Sequence, residues 1–343
     1  MALIKVKSRG TDNIIGRGNL IINGGMTVAQ RGTSSTGTGY KTVDRFAVNQ
    51  SNFDNLVSTK TQDTNVPVGF SKSLKIATTT AETALAADEY GNMQYAIEAQ
   101  DLQSLAYGTS SAKSFTLSFY VKSNLTGNFS VSAYKQTGSN KQQDRQYTIN
   151  SADTWERKTL TFAGDTAQSI VNDNTVGMYL YWHTAFGANF GTDTYNASAG
   201  WSAYTNAGWG AGHDVNTLYN STSNYIQFTG IQMEVGNTAT DFEHRSVAED
   251  LRGCQRYFLK TNVGNAVAYW NTGGNIPSGS GILFPTTMRA TPAATVVSNV
   301  QASNTNSGSF QNMHEGGGQY IANFSPVSGT AKRTDLCTFD SEL

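Results

Sequence analysis

The sequence predicts an all-β protein: a jelly-roll β-sandwich followed by a smaller C-terminal β domain, preceded by a short N-terminal arm. Three observations carry this. Charged residues make up only 14% of the chain while 34 glycines accompany many Thr, Ser and Asn, a composition suited to short strands joined by turns. Apolar residues alternate with a period of two in segment after segment. Helical periodicity is nearly absent, which excludes a fold built from βαβ units.

At 343 residues the chain exceeds what one core usually fills, since single cores stop growing near ~250 residues. Its texture divides into an arm over 1–18, a jelly-roll domain over 19–245, a connecting helix over 246–258 and a C-terminal β domain over 259–343. In the arm, Leu3, Ile4, Val6, Ile14 and Ile15 are scattered among glycines and basic residues, so at most one short strand is expected there. From 19–35 and again over 40–48 the pattern reads as strands with Gly-rich turns. Further strands are predicted at 73–80, 93–99, 114–123, 127–136, 145–149, 156–162, 176–182 and 225–235. Within 114–123, Phe115, Leu117, Phe119 and Val121 share one face, which is therefore the core face. Two helical stretches interrupt the series. Residues 101–108 give a turn or so ending at Gly108, and 246–258 opens with Ser246 and Glu249 at capping-box spacing. After it, alternation predicts roughly five more strands in a unit of about 85 residues, small enough to be marginal without a packing neighbour.

Several function classes are excluded or disfavoured. A net charge of −1 and a pI near 6.4 lack the basic cluster that phosphate backbones require, so no nucleic acid partner is expected. No apolar run approaches the ~20 residues of a membrane span, and Lys5, Lys7 and Arg9 are followed by no apolar signal-peptide core. Neither membrane insertion nor a secretory signal is read. Cys254 and Cys337 are too few for a disulfide framework and wrongly spaced for zinc, so two buried thiols are expected. His183, His213, His244 and His314 sit in no metal-binding motif, and no cofactor fingerprint is present. The segments 172–174 and 191–196 offer Asn and Asp oxygens for calcium, but turn formation is the simpler explanation of both. Neighbouring carboxylates such as Asp88 and Glu89 point to opposite faces of a strand. A glycosidase needs a pair ~5–10 Å apart across a cleft, so no catalytic residue is assigned.

The most unusual segment is 179–219, which gathers Trp182, Trp201 and Trp209 with several tyrosines in a Gly-, Ala- and Asn-rich stretch. Long loops in compact domains are commonly functional. Indole and phenol faces stack on the C–H face of a sugar ring, and Asn, Asp and His reach its hydroxyls. Trp182, Trp201, Tyr204, Trp209, His213 and Asp214 form the candidate ligand-binding set. The alternative use of the same rings is to pack the loop on the sandwich or to contact another subunit.

The stretches NLIINGGMTVAQRGTS, YKTVDRF, SFTLSFYVKS with GNFSVSAY, FTGIQMEVGNTATDFEHRSVAEDLRGCQRYF and FPTTMRATPA resemble tail-fibre and virion appendage proteins of tailed phages, notably those of marine and cyanobacterial phages. The resemblance spans about residues 19–295 and is most specific over 228–258. It implies a jelly roll like a carbohydrate-binding module, a homotrimer, and attachment to other virion proteins of the tail or neck through the N-terminal arm. The expected role is then a structural, non-enzymatic virion component that recognises host surface polysaccharide. A non-receptor-binding virion part, such as a head or neck decoration or a fibre adaptor, is the alternative, with a polysaccharide depolymerase behind it. The segment after about residue 296 departs from the family pattern.

Overall fold

The computed structural model describes residues 18–136, 138–270, 276–324 and 328–343. The arm residues Leu3, Ile4, Val6, Ile14 and Ile15, and with them the expectation of an anchoring segment, lie outside the described residues.

Among the described residues, twelve strands form a sandwich of two six-stranded antiparallel sheets. In chain order they are β1 (Ser34–Ser35), β2 (Phe46–Ser51), β3 (Val57–Asp63), β4 (Ser73–Thr80), β5 (Tyr90–Glu98), β6 (Phe115–Ser123), β7 (Gly127–Lys135), β8 (Lys141–Ile149), β9 (Glu156–Phe162), β10 (Val176–Phe186), β11 (Ser202–Ala203) and β12 (Tyr225–Val235). The first sheet runs β1-β3-β4-β12-β6-β9 and the second β11-β8-β7-β10-β5-β2. The core between them follows from strict alternation. Phe115, Leu117, Phe119 and Val121 of β6 are fully buried against Phe129 and Val131 of β7 and Met178, Leu180 and Trp182 of β10. The Phe119 ring meets Tyr147 and Trp182 edge-on at 5.1 and 6.0 Å, an arrangement that aromatic quadrupoles favour. Each such side chain contributes about 1.5–3 kcal/mol by leaving water.

Two expectations are corrected near the N-terminal end. Residues 19–33 form turns and irregular chain rather than strands, and 40–45 precede a strand that starts only at Phe46. The stretch closes one end of the sandwich instead: Ile21 and Met26 join the core, Leu20 N–H donates to Met233 O at 2.9 Å, and Ile22 N–H donates to the Tyr95 hydroxyl at 2.8 Å. Alternation alone does not distinguish a strand from a plug whose backbone finds other partners. Strand β3, VSTKTQD, carries too little apolar character to be visible in the sequence.

A 3-10 helix spans Ala99–Leu105. The helix α1 (Val247–Gln255) starts with the capping box predicted from Ser246 and Glu249, each satisfying the other's backbone N–H. It leads into β13 (Phe258–Trp270), β14 (Ile276–Leu283), β15 (Ala293–Ser303), β16 (Thr305–His314), β17 (Gly317–Phe324) and β18 (Ser328–Asp340). These form two three-stranded sheets, β13-β18-β15 and β14-β17-β16, around a small core that includes Tyr320, Phe324, Cys337 and Phe339. Both cysteines are free and buried. No helix among the described residues is long and apolar enough to cross a membrane.

Charged groups join the smaller unit to the sandwich. Arg45, 1% exposed, pairs with Glu342 near the C-terminus, donates to Ala96 O at 2.6 Å and lies 3.3 Å over the Tyr257 ring. Glu98 accepts from Arg256 at 2.7 Å and from the Tyr257 hydroxyl at 2.6 Å. Arg289 donates to Asn174 O at 3.1 Å.

Candidate functional site

Strand β10 positions the site. Its inward residues Met178, Leu180 and Trp182 belong to the core, so Tyr179, Tyr181 and His183 stand on the outer face of the second sheet. Register places Tyr181 between Gln94 of β5 and Ser132 of β7, and Tyr179 between Ala96 and Tyr134. The Tyr179 and Tyr181 rings stack at 5.6 Å with 21° between planes.

The segment 187–219 folds back over this outer face. Trp209 is its anchor, edge-on to Tyr90 at 5.1 Å, Tyr181 at 5.3 Å and His183 at 4.9 Å. The next residue is fastened to the sheet: Gly210 N–H donates to Asp144 Oδ1 at 2.8 Å, and Ser130 Oγ donates to Gly210 O at 3.0 Å. Gly210 has φ +81° and lies against the Phe186 ring where a Cβ has no room, so only glycine suits the position. Burial pushes the Asp144 carboxyl up to about 7, against the lowering effect of hydrogen bonds from Ser132 and Gly210.

Ser132, His183 and Asp144 are contiguous without forming a hydrolytic relay. Ser132 Oγ donates to Asp144 and lies 2.7 Å from His183 Nε2. The serine therefore stands between the imidazole and the carboxylate, whereas a relay needs the imidazole in the middle. His183 is fully buried, which pushes its pKa well below the ordinary value.

Beside the anchor a cleft of about 230 Å³ remains, lined by Tyr90, Tyr134, Gln136, Tyr181, Phe190, Tyr204 and Trp209. Six aromatic rings and one amide make up its wall, with no charged side chain among these residues. Tyr204 is held by Tyr134, edge-on at 5.3 Å, and its hydroxyl donates to Asn206 Oδ1 at 2.8 Å.

The residues singled out in the sequence separate accordingly. Tyr204 and Trp209 line the cleft. Trp182 does not: it is a fully buried core residue and presents no ring face to a ligand, because its position in the β10 alternation turns it inward. His213, 6% exposed, is buried against Phe129, and burial lowers its pKa to about 4. Trp201 packs at the sheet edge, where its indole N–H donates to Ala163 O at 2.7 Å and Lys135 Nζ lies 4.6 Å over its ring. Asp214 is exposed and accepts from Asn128 at 2.8 Å. The cleft residues missing from the sequence reading, Tyr90, Tyr134, Gln136, Tyr181 and Phe190, come mostly from strands. The alternation in VGMYLYW already placed Tyr179 and Tyr181 opposite the core residues; nothing in it indicated that residue 209 would land over them.

Elsewhere, Asp173 takes the Thr175 N–H at 2.9 Å, a turn. Among the described residues no group of three or more His, Cys, Asp or Glu is arranged to hold a metal ion. A larger cavity of about 1030 Å³ lies beside α1 and is lined by Gly18, Glu243, Arg245, Glu249 and Arg256 among others. Four of its charged groups serve the fold: Glu243 accepts the Asn19 N–H, Arg245 donates to Asn19 O, Glu249 accepts the Ser246 N–H at the start of α1 and Arg256 holds Glu98.

No family model matches this chain, and neither does any curated protein. Solved structures do match. The chain is similar to the enzymatically active domain of tailspike protein 4 of bacteriophage CBA120 at 12% identity and a TM-score of 0.33, with 64% of this chain and 21% of that chain covered; it thus spans about a fifth of that structure's length. It is similar to the family 11 carbohydrate-binding module of a cellulosomal cellulase of Clostridium thermocellum at 10% identity and a TM-score of 0.28, covering 62% of this chain and 98% of that one. The tandem CBM22 domain of Paenibacillus barcinonensis Xyn10C matches at 9% identity and a TM-score of 0.31, over 95% of this chain and 97% of that one.

Proposed function

We propose that this chain is a non-enzymatic, glycan-binding subunit of a phage virion, a tail fibre or appendage protein that recognises host surface polysaccharide. The observation that carries the glycan reading is the cleft on the outer face of the second sheet, where phenol and indole rings surround a single amide. Ring faces stack on the C–H face of a sugar while hydroxyls and the amide read its polar edge. No carboxylate lines that cleft among the described residues, so the pair a glycosidase needs is not offered there. Virion membership rests on the resemblance of residues 19–295, with attachment through residues 1–18.

The homotrimer is what the resemblance implies, and the smaller β unit supports self-association as such. Residues 261–331 carry only two formal charges, Arg289 and Glu315, and Leu283, Val297 and Val300 are 90%, 52% and 55% exposed. Depletion of charge beside exposed apolar side chains is what interface cores show. Several weak sites on one oligomer would then bind a polysaccharide firmly.

Purified full-length protein applied to an array of bacterial surface polysaccharides is expected to bind a subset saturably, and Tyr181→Ala is expected to lose that binding. Absence of binding to any glycan, with the fold intact by circular dichroism, refutes the reading.

A further inference from the structure

Resting on the self-association reading, we infer that the smaller unit joins copies head to tail: the β15 edge of one copy packs against the β14 edge of the next, and the ring closes at the three copies that the resemblance implies. The two sheets of the unit lie face to face with their edges in order. Strand β13 stands against β14, where Asn265 Nδ2 donates to Ser278 Oγ at 2.9 Å and Ser280 Oγ donates to Gly264 O at 3.2 Å. Strands β15 and β16 are joined by Asn304 alone and lie against each other. With the strand orders β13-β18-β15 and β14-β17-β16, β14 and β15 therefore occupy opposite edges. The exposed apolar side chains are divided between them: Leu283 belongs to one edge, Val297 and Val300 to the other.

That division decides the symmetry. A two-fold contact sets a patch against its own copy, so it would cover one edge and leave the other in solvent. A contact between unlike patches uses both edges of every copy and closes into a ring. The two edges suit each other, since neither β14 (IPSGSGIL) nor β15 (AATVVSNVQAS) carries a charge that would call for a charged partner. They also match in level. Strands β13 and β14 run in opposite directions, and Ser280 is level with Gly264. Leu283, three residues further along β14, is then level with Thr261, which pairs with Cys337, and Cys337 pairs with Val296, the neighbour of Val297. A ring needs that equality, because unlike patches at different heights would generate an open helix. Side-chain packing makes the contact. In the pairing of β15 with β18, Val297 and Val300 are the residues skipped, each at a register shift. Such bulges interrupt the row of backbone groups that a further strand would need, and they re-aim side chains.

The test is cross-linking of the full chain with a short bismaleimide, which joins accessible thiols; Cys254 and Cys337 are buried and do not compete. Leu283→Cys alone and Val297→Cys alone are expected to give no covalent oligomer, since each new thiol faces an unaltered edge. Co-expressed, the two single variants are expected to give covalent dimers and nothing larger. The double variant Leu283→Cys with Val297→Cys is expected to give covalent trimers that grow no further. Both sites are exposed, and circular dichroism checks that the fold is retained. Covalent dimers from either single variant alone mean a two-fold contact, and a double-variant ladder running past three copies means that the ring does not close. Absence of covalent oligomers from the double variant, while light scattering shows the parent chain associated, places the contact elsewhere. Each of these overturns the head-to-tail ring and leaves self-association standing. A parent chain that stays monomeric at every concentration removes the self-association reading itself.

Discussion

The sandwich and the smaller C-terminal unit are both antiparallel β structures, but they solve the burial problem differently. Among the described residues the sandwich has a single core of 37 buried apolar residues, many of them large aromatics, whereas the smaller unit has 10. A core of that size supplies little stability for a unit of under 90 residues. The unit instead pushes its C-terminal residues into the sandwich, with Glu342 meeting Arg45 and Arg31, and Asp340 meeting Arg31. The surfaces differ in the same sense. The sandwich covers its most aromatic outer face with its own loop and leaves one small cleft, while the smaller unit leaves apolar side chains of β14 and β15 in solvent. A self-sufficient core allows a shaped, preorganised site, and an insufficient one needs neighbours.

The strongest way to break this comparison is to remove the join. Glu342→Ala strands the buried Arg45 guanidinium and is expected to cost about 3–5 kcal/mol, whereas adding Arg45→Met to it is expected to recover a large part. Urea denaturation of the full chain measures both. Equal stability of the parent and Glu342→Ala means the smaller unit stands on its own core.

A second test concerns the loop clamp in the sandwich. Asp144, pushed up to about 7 by burial, holds its proton more tightly folded than unfolded. Its contribution to stability is therefore complete below about pH 4 and is lost as pH rises through about 7. Asp144→Asn keeps an acceptor for Gly210 and is expected to flatten that decline, on the order of 2 kcal/mol between pH 4 and 8. Asp44, raised to about 6 by burial, adds to the decline, and the buried His183 and His213, with lowered pKa values, oppose it; all three act alike in both proteins. Parallel urea midpoints for parent and variant across that range would show that the carboxyl is not titrating as its burial demands.

The smallest expected effect on the single chain lies on the exposed apolar face. Leu283→Ser with Val297→Ser is expected to change unfolding free energy by no more than about 0.5 kcal/mol while shifting the mass seen by light scattering from the proposed oligomer toward monomer. Unaltered association would remove that face from the interface.

The sequence alone was enough for the all-β class, the inward set of β6, the capping box of α1 and the reduced buried cysteines, because each follows from local periodicity or from chemistry within a few residues. The outward placement of Tyr179 and Tyr181 was legible for the same reason, although the reading followed the tryptophan-rich loop instead. What only the tertiary structure decided is which aromatic rings keep open space beside them. Trp201 and Trp209 are alike in sequence texture, yet one packs at the sheet edge and the other walls a cleft. That difference arises from the hydrogen bond between Gly210 and Asp144, 66 positions apart, and from the register that brings Tyr90, Tyr134 and Tyr181 beneath the returning loop. Such long-range closure is set by the packing of the whole sandwich, and no local pattern encodes where a loop will come to rest.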